Sequence, residues 1–318
     1  MASQKQRAAS MPGSVAVVGS LNLDVTLTVQ RLPSPGETLV AQRSVRGSGG
    51  KGANQAAAAA AAGAQVTMIG AVGDDPAGTT MLADLRSLGV DVGRVRTVAG
   101  TFSGAATILL DAARGENMII VEPGANASLD VSDVRVPAIR DAAVLLTQLE
   151  TPAQTVKAAV LEATGMVVLN AAPYRALEAE LLARVDVLVC NQTELGEMTG
   201  LPTPETLADV RTALRALAPQ HAVIVTVGEQ GAVVYQPEQA PADPFTTLAA
   251  PAVTPVDTTG AGDCFCGVLA TWLADGATLL EAARAAVIAG TRSTLAGGAR
   301  GVLVDRASIM RELEAVQT

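Results

Sequence analysis

The chain has 318 residues, of which 49% are hydrophobic, enough for a sizeable core in one large α/β domain or in two small domains. Its net charge is −9 and it has no sustained run of Lys and Arg, which argues against a nucleic-acid surface, because neutralising phosphates takes clustered basic residues. We therefore expect small-molecule partners and no nucleic acid. Aromatic residues are only 2%, so the core must be built from Ala, Val, Leu and Ile.

Residues 1–13 are polar and lack the apolar block of a secretory signal, and we expect them to form a disordered tail. The longest Ala-rich run, Ala56–Ala62, is too short to cross a bilayer, so no membrane partner is expected. The cysteines, Cys190, Cys264 and Cys266, have no metal-ligand spacing and are odd in number. They predict reduced, structural thiols and a cytoplasmic protein.

From Val15 onward, short β-branched runs alternate with Ala- and Leu-rich stretches of helical period. The predicted strands are Val15–Val18, Val66–Ile69, Val144–Thr147, Val167–Leu169, Val187–Val189 and Val223–Val227. The predicted helices are 53–62, 79–88, 153–163, 176–183, 194–199 and 264–274. This alternation predicts, over residues 14–318, a three-layer Rossmann-like α/β fold with a mostly parallel sheet flanked by helices. The binding crevice should lie beyond the carboxyl ends of the strands.

Two segments, Asp24–Val45 and Thr101–Val121, alternate like strands but have no helices between their strands. We expect about 24–46 and 101–122 to form a small antiparallel sheet that covers the crevice as a lid or pairs with another subunit. A plain edge hairpin is the alternative.

The run Gly47–Gly52 literally satisfies G-x-G-x-x-G, which would suit a dinucleotide-dependent oxidoreductase. Such a fingerprint normally follows the first strand of the fold, whereas residues 20–24 follow it here. The run is not a P-loop either, because Lys51 is followed by Gly52.

A sugar site fits these glycines better, because they let backbone N–H groups approach hydroxyls. Asn54, in the first turn of the next helix, offers both a donor and an acceptor. Asn22 and Asp24 add polar groups just past the first strand. A polyol needs this mixture, since each hydroxyl requires a donor and an acceptor in a pocket where unpaired groups are costly.

The run Asp257–Asp263 combines an anion-binding turn with a carboxylate. The backbone of Gly260, Ala261 and Gly262 can approach a charged group, and the helix that follows would direct its free N–H groups at an anion. Asp263 could then remove the proton of an attacking alcohol while these N–H groups hold the phosphoryl oxygens. An ordinary helix cap beside a turn is the alternative.

These motifs, together with others, resemble the ribokinase family within the phosphofructokinase-B-type sugar kinases. The matching pieces occur in family order from about Val15 to Arg300: Gly19-Ser20-x-Asn22-x-Asp24, Pro35–Thr38, Gly49–Ala56, Val72–Asp75, Gly124–Asn126, Asn191-x-x-Glu194, Thr226-x-Gly228-x-x-Gly231 and Asp257–Asp263. The resemblance thus covers nearly the whole chain.

The resemblance implies an ATP-dependent kinase that phosphorylates the 5-hydroxyl of a furanose, with D-ribose as expected substrate and ribose 5-phosphate as product. Asp263 would be the catalytic base and Gly260, Ala261 and Gly262 the anion hole. The implied sugar-binding residues are Asn22, Asp24, Gly50, Lys51, Asn54, Glu150 and Asp263. The implied nucleotide-binding residues are Asn191, Glu194, Thr226, Gly228, Gly231, Gly262 and Val287.

Family members use Mg²⁺ with ATP, and Asn191 and Glu194 match positions that influence it mainly through water. The resemblance also implies an activating monovalent cation such as K⁺, at Asp257, Thr259, Ser293 and Gly298. It further implies a homodimer formed through the lid sheets. The chain departs from the family pattern at Val287, where many relatives have Asn or His facing the adenine, and at Gly301, where a serine often helps the cation.

Simpler roles stay open for several of these side chains. Asp24 could be a solvated turn residue, Lys51 a surface charge, and Glu150 a helix cap. Asn191 and Glu194 could be an N-cap and its capping-box partner. A nucleoside kinase or other furanose kinase of the same fold, and a catalytically idle sugar-binding protein, stay open as functions.

Overall fold

The computed structural model describes residues 11–113, 117–237 and 243–316, and within these ranges the strands form two sheets. The strands are β1 (Met11–Val18), β2 (Asn22–Val29), β3 (Arg43–Gly49), β4 (Gln65–Gly73), β5 (Asp91–Val98), β6 (Gly104–Asp111), β7 (Asn117–Glu122), β8 (Ala142–Thr147), β9 (Met166–Asn170), β10 (Val187–Asn191), β11 (Ala222–Thr226), β12 (Ala232–Tyr235) and β13 (Phe245–Leu248).

The helices are α1 (Lys51–Ala61), α2 (Pro76–Ser87), α3 (Val131–Val134), α4 (Pro137–Arg140), α5 (Ala153–Glu162), α6 (Ala179–Leu182), α7 (Gln192–Thr199), α8 (Leu207–Leu217), α9 (Ala261–Ala274), α10 (Leu279–Ser293) and α11 (Arg306–Val316). Short 3-10 turns lie at Gly124–Ser128 and Gly228–Gln230. Among the described residues, no helix is both long enough and apolar enough to cross a membrane.

The larger sheet has nine described strands in the order β13-β12-β11-β10-β9-β8-β1-β4-β5. All neighbouring pairs from β11 to β5 are parallel, and β12 pairs antiparallel with β11 and β13. Along β1, Val15 and Val17 pack on one face, and Ala16 and Val18 pack on the other. Because helices α1, α2 and α9–α11 cover the first face and α3–α8 the second, the sheet is buried on both sides. The predicted three-layer α/β class is confirmed.

The predicted tail and one predicted helix are both shorter in the structure. Strand β1 begins at Met11, inside the range 1–13 that was predicted to be a tail, and residues 1–10 lie outside the described residues. The helix predicted over 176–183 is reduced to the four residues Ala179–Leu182, because Glu178 has an extended backbone (φ −70°, ψ 142°) and the helix begins only after it.

The smaller sheet has the order β3-β2-β6-β7 and is built from both segments predicted to form the lid, so a plain edge hairpin is excluded. Residues 114–116 of that prediction lie outside the described residues. The pairs β2–β3 and β6–β7 are antiparallel, as predicted, whereas the central pair β2–β6 is parallel. Strands β2 and β6 follow β1 and β5, which belong to the parallel part of the larger sheet, so both segments leave its carboxyl edge in the same direction.

Close backbone contacts bring α1 against both β1 and α9. A Cβ at Gly52 would lie 2.6 Å from the carbonyl carbon of Gly19, so only glycine lets the start of α1 cross the end of β1. A Cβ at Gly267 would lie 2.5 Å from the carbonyl oxygen of Gln55, so α9 also packs closely on α1. The first turns of these two helices therefore meet beyond the end of β1.

Candidate active site

The carboxylate of Asp263 lies where the first turns of α1 and α9 meet. Its side chain is buried, at 8% exposure. Asn54 Nδ2 donates to Asp263 Oδ2 at 3.0 Å, and Gln55 Nε2 donates to Asp263 Oδ1 at 3.0 Å. Both carboxylate oxygens are thus held by neutral amide donors, which fixes the orientation of the group and leaves it able to accept a further proton.

The glycines before Asp263 form an open turn at the N-terminus of α9. Gly260 has φ +77°, and a Cβ there would lie 2.4 Å from the carbonyl oxygen of Ala299, so this position requires glycine. A Cβ at Gly262, by contrast, would meet nothing within 4 Å. The N–H of Ala261 donates to the carbonyl of Thr258 at 3.2 Å, so the turn is open at Gly262, beside Asp263, and this opening at a helix N-terminus suits an incoming anion.

Asp24 lies on β2, facing the same site. Burial is the main cause that raises its pKa to about 6, and the charge of Glu150 adds to it, whereas Arg300 acts in the opposite direction. Its Oδ1 is buried and has no hydrogen-bond partner among the described residues. A Cβ at Gly49 would lie 1.9 Å from Asp24 Oδ2, so the glycine makes room for the carboxylate. These contacts argue against a solvated turn residue.

Glu150 and Lys51 meet at the start of α1. Glu150 Oε2 accepts from Ser20 Oγ at 2.5 Å and from the backbone N–H of Lys51 at 3.1 Å. Burial disfavours the charged form of Lys51, but the carboxylates of Asp263, Glu150 and Glu194 together outweigh it and raise its pKa. Lys51 is therefore not an isolated surface charge. Glu150 does cap a helix, but the helix is α1 and not the one that follows it in sequence.

The remaining predicted sugar ligands lie around the same corner. Asn22 is 4% exposed, and its Oδ1 accepts from Asn126 Nδ2 at 2.8 Å. Gly50 has φ +86°, and a Cβ there would lie 2.8 Å from the backbone nitrogen of Asn22. The structure thus brings the predicted sugar ligands together with Asp263, while their roles stay predictions.

The predicted nucleotide residues lie at the ends of neighbouring strands. Asn191 and Thr226 are paired in register at the carboxyl ends of β10 and β11, and the turn Gly228–Gln230 follows directly. Asn191 and Glu194 also form the capping box that the sequence left open. Burial raises the pKa of Glu194, which interacts electrostatically with Lys51 and Asp263. Asn191 and Glu194 therefore cap α7 and also lie beside the site.

Two of the predicted nucleotide-binding residues, Gly231 and Val287, are packed against other parts of the protein. Gly231 has φ +95°, and a Cβ there would lie 2.0 Å from the carbonyl oxygen of Leu248, so it shapes the turn before β12. Val287 is 5% exposed and packs in the core face formed by α9 and α10. Contact between Val287 and an adenine stays a prediction.

The predicted cation residues surround the loop before α9. Asp257 Oδ1 accepts from the N–H of Thr259 at 2.9 Å, and Oδ2 accepts from the N–H of Gly298 at 2.8 Å. Ser293 is buried, and its hydroxyl donates to the carbonyl of Gly290 at 2.9 Å. The structure thus joins Asp257, Thr259 and Gly298, whereas the hydroxyl of Ser293 is used within α10.

Four residues at this site were not assigned a role from the sequence. Gln55 donates to Asn170 Oδ1 as well as to Asp263, and Gln148 Nε2 donates to Gln55 Oε1 at 2.6 Å. Arg300 Nε donates to Asn54 Oδ1 at 2.9 Å, which orients the Asn54 amide toward Asp263. Only the position of Gln55 beside Asn54 gave a signal in the sequence, since the others join the site from distant segments.

An open glycine turn, a buried carboxylate and a ring of polar side chains at the carboxyl edge of a three-layer sheet define an α/β protein of the sugar-kinase class. The profile described as pfkB family carbohydrate kinase matches residues 13–305. The chain belongs to this family.

Curated relatives and a solved structure agree with the family. The chain is similar to the ribokinase of Haemophilus influenzae, with 34% identity over 314 residues, 96% of this chain and 99% of the relative. It is also similar to the deoxyribokinase of Salmonella typhi, with 35% identity over 282 residues, 86% of this chain and 90% of the relative. The structure of Arabidopsis thaliana ribokinase complexed with ribose and ATP has a TM-score of 0.83 and 31% identity, covering 96% of this chain and 99% of that one.

Proposed function

We propose that this carbohydrate kinase transfers the γ-phosphoryl group of ATP to the 5-hydroxyl of D-ribose. The observation that carries the proposal is the place of Asp263, between polar side chains suited to a sugar and an open turn suited to a phosphoryl group. The 34% identity to a ribokinase over nearly the whole chain supports ribose as the sugar.

In this mechanism Asp263 removes the proton of the 5-hydroxyl as the oxygen attacks phosphorus, and the N–H groups of Gly260 and Gly262 stabilise the charge on the transferring oxygens. Asn54 and Gln55 hold the carboxylate toward the reacting hydroxyl. Asp24 accepts hydrogen bonds from other hydroxyls and so supplies orientation.

Asn191, Thr226, Gly228 and Gly231 are the residues proposed to hold ATP, with Gly262 at its phosphates. The half-buried carboxylate of Glu194 is an oxygen donor of the kind Mg²⁺ prefers, and the ion would supply charge neutralisation at the phosphates. Asp257, Thr259, Ser293 and Gly298 are the residues proposed for K⁺, which would supply fixed positive charge beside the anion turn. We also propose a cytoplasmic homodimer.

Deoxyribose is the second candidate substrate, because the chain is as similar to a deoxyribokinase as to a ribokinase. A panel of ribose, 2-deoxyribose, fructose, adenosine and pseudouridine, with ATP and Mg²⁺ and with K⁺ or Na⁺ at constant ionic strength, tests the substrate and the cation together. We expect the highest kcat/KM with ribose and a lower rate in Na⁺. A preference for a nucleoside, or sugar binding without ADP production, would contradict the proposal, and equal rates in K⁺ and Na⁺ would remove the cation from it.

A further inference from the structure

Arg300 brings a guanidinium group into the site from the loop between α10 and α11. Its Nε donates to Asn54 Oδ1 at 2.9 Å. The backbone of Ala299, the preceding residue, lies against Gly260 of the anion turn. The guanidinium interacts electrostatically with the carboxylates of Asp84, Asp24 and Asp263.

Two polar atoms at this place are buried and unsatisfied. Arg300 Nη2 and Asp24 Oδ1 each expose less than 1 Å² and have no hydrogen-bond partner among the described residues. One is a donor on a cation and the other an acceptor on an acid, yet they are not bonded to each other. Leaving either buried without a partner costs free energy, so the pair is complementary to a group that can accept and donate at once.

A hydroxyl is such a group, because it donates one hydrogen bond and accepts others. The reacting hydroxyl belongs at Asp263, so the hydroxyl between Asp24 and Arg300 must be a different one on the same sugar. We propose that Asp24 Oδ1 and Arg300 Nη2 together bind one secondary hydroxyl of the sugar, which makes Arg300 a specificity-determining, sugar-contacting residue. This inference rests on the proposed function.

The test is a cycle of enzyme and substrate changes. The wild type, Arg300→Met and Arg300→Lys are assayed with D-ribose and with its 1-deoxy, 2-deoxy and 3-deoxy analogues. For Arg300→Met we expect the KM for ribose to rise roughly 10- to 100-fold, the range for losing one charge-assisted hydrogen bond, with the KM for ATP unchanged. Arg300→Lys should give an intermediate rise.

The decisive readout is whether the effects of the enzyme change and of the sugar change on KM are non-additive. One deoxy analogue should bind the wild type poorly but lose nothing further in Arg300→Met, since the hydroxyl and the guanidinium form one contact. An equal rise in KM for all four sugars would mean that Arg300 acts only by orienting Asn54, and an unchanged KM would mean that Nη2 does not contact the sugar. Either result overturns the inference.

Stability and function controls keep the outcomes apart. Arg140→Met removes a guanidinium paired with Glu162 on the other face of the sheet and should leave both KM values unchanged. Without sugar, the Tm of Arg300→Met reports the lost hydrogen bond to Asn54, and ribose should raise this Tm less than it raises the wild-type Tm. A wild type that neither binds nor phosphorylates these sugars would refute the proposed function itself. If the wild type is active and Arg300→Met has the same KM values for the sugars, only this inference is refuted.

Discussion

Burial makes the Asp24 carboxylate titrate close to neutral pH, and this has opposite effects on folding and on sugar binding. Its pKa of about 6 lies above the ordinary value of 3.8, so the folded protein holds the proton more tightly than the unfolded chain. The stability that this group contributes is therefore present below about pH 4 and is lost as the pH rises through about 6. Binding sugar hydroxyls as an acceptor instead needs the charged form.

We therefore expect the affinity for ribose to weaken as the pH falls below about 6, by about tenfold per pH unit. Calorimetric Kd values between pH 5 and 7.5, measured without ATP, would show this. The variant Asp24→Asn should bind more weakly at neutral pH and show no such step. A wild-type Kd that stays constant over the range would remove Asp24 from the sugar contacts.

The sequence predicted the residues that form recognisable local motifs, and it missed those that join the site through tertiary contacts. Asn54 and Asp263 were each identified from their own glycine-rich runs, although 209 positions separate them in the chain. Arg300, 246 positions from its partner Asn54, has no motif of its own. Gln148 directly follows the buried strand β8 and Asn170 ends the buried strand β9, and only the packing of α1 shows what these two residues contact.

At the scale of elements, α9 has one glycine that serves packing and one that serves the site. A Cβ at Gly267 would lie 2.5 Å from the backbone of α1, whereas a Cβ at Gly262 would extend into the open space of the anion turn. Gly267→Ala should lower the free energy of unfolding by about 1–3 kcal/mol, although alanine is the better helix former. Gly262→Ala should fold normally and lose kcat by about tenfold or more, because its methyl group narrows the anion turn.

Denaturant unfolding and steady-state kinetics on the two variants check this pair, and each variant serves as the control for the other. If Gly262→Ala kept full activity, the anion turn would not be where the phosphoryl group binds. If Gly267→Ala were as stable as the wild type, the close contact of α9 and α1 would not hold.

The parallel strands β1, β4, β8, β9, β10 and β11 could be predicted because each contains a short β-branched run buried on both faces, whereas the largely exposed β5 was not predicted. The helices α3, α4, α8, α10 and α11 were not predicted, and the parallel pairing of β2 with β6 was missed. That pairing depends on where β1 and β5 end in the larger sheet, which alternation within one segment does not show. Helix α6 is short because an Ala- and Leu-rich composition alone does not nucleate a helix.

At the scale of the whole molecule, the smaller sheet has an apolar face turned away from the site. Asp24, Ala106 and Val121 are cross-strand neighbours and share the site face, so Leu23 and Ile120 point to the other face. On that face, Met118 and Ile120 of strand β7 are exposed, Ile120 by 60%. A contiguous exposed apolar surface of this kind supports the proposed homodimer.

Placing a charge on that face should dissociate the dimer. Ile120→Glu should elute and sediment as a monomer, because burying an unpaired carboxylate in an interface is costly. The matched variant Ile119→Glu, on the face shared with Asp24, should stay dimeric and bind ribose more weakly. A monomeric wild type, or a dimeric Ile120→Glu, would contradict assembly through this sheet.

The central claim is that Asp263 is the general base of a sugar phosphoryl transfer, and the kcat of Asp263→Asn with ribose and ATP tests it most directly. We expect a fall of roughly 10²- to 10⁴-fold, with the affinity for ATP retained. Asp275→Asn, at the other end of α9, is the control and should retain wild-type turnover. Near-wild-type kcat in Asp263→Asn would contradict the account.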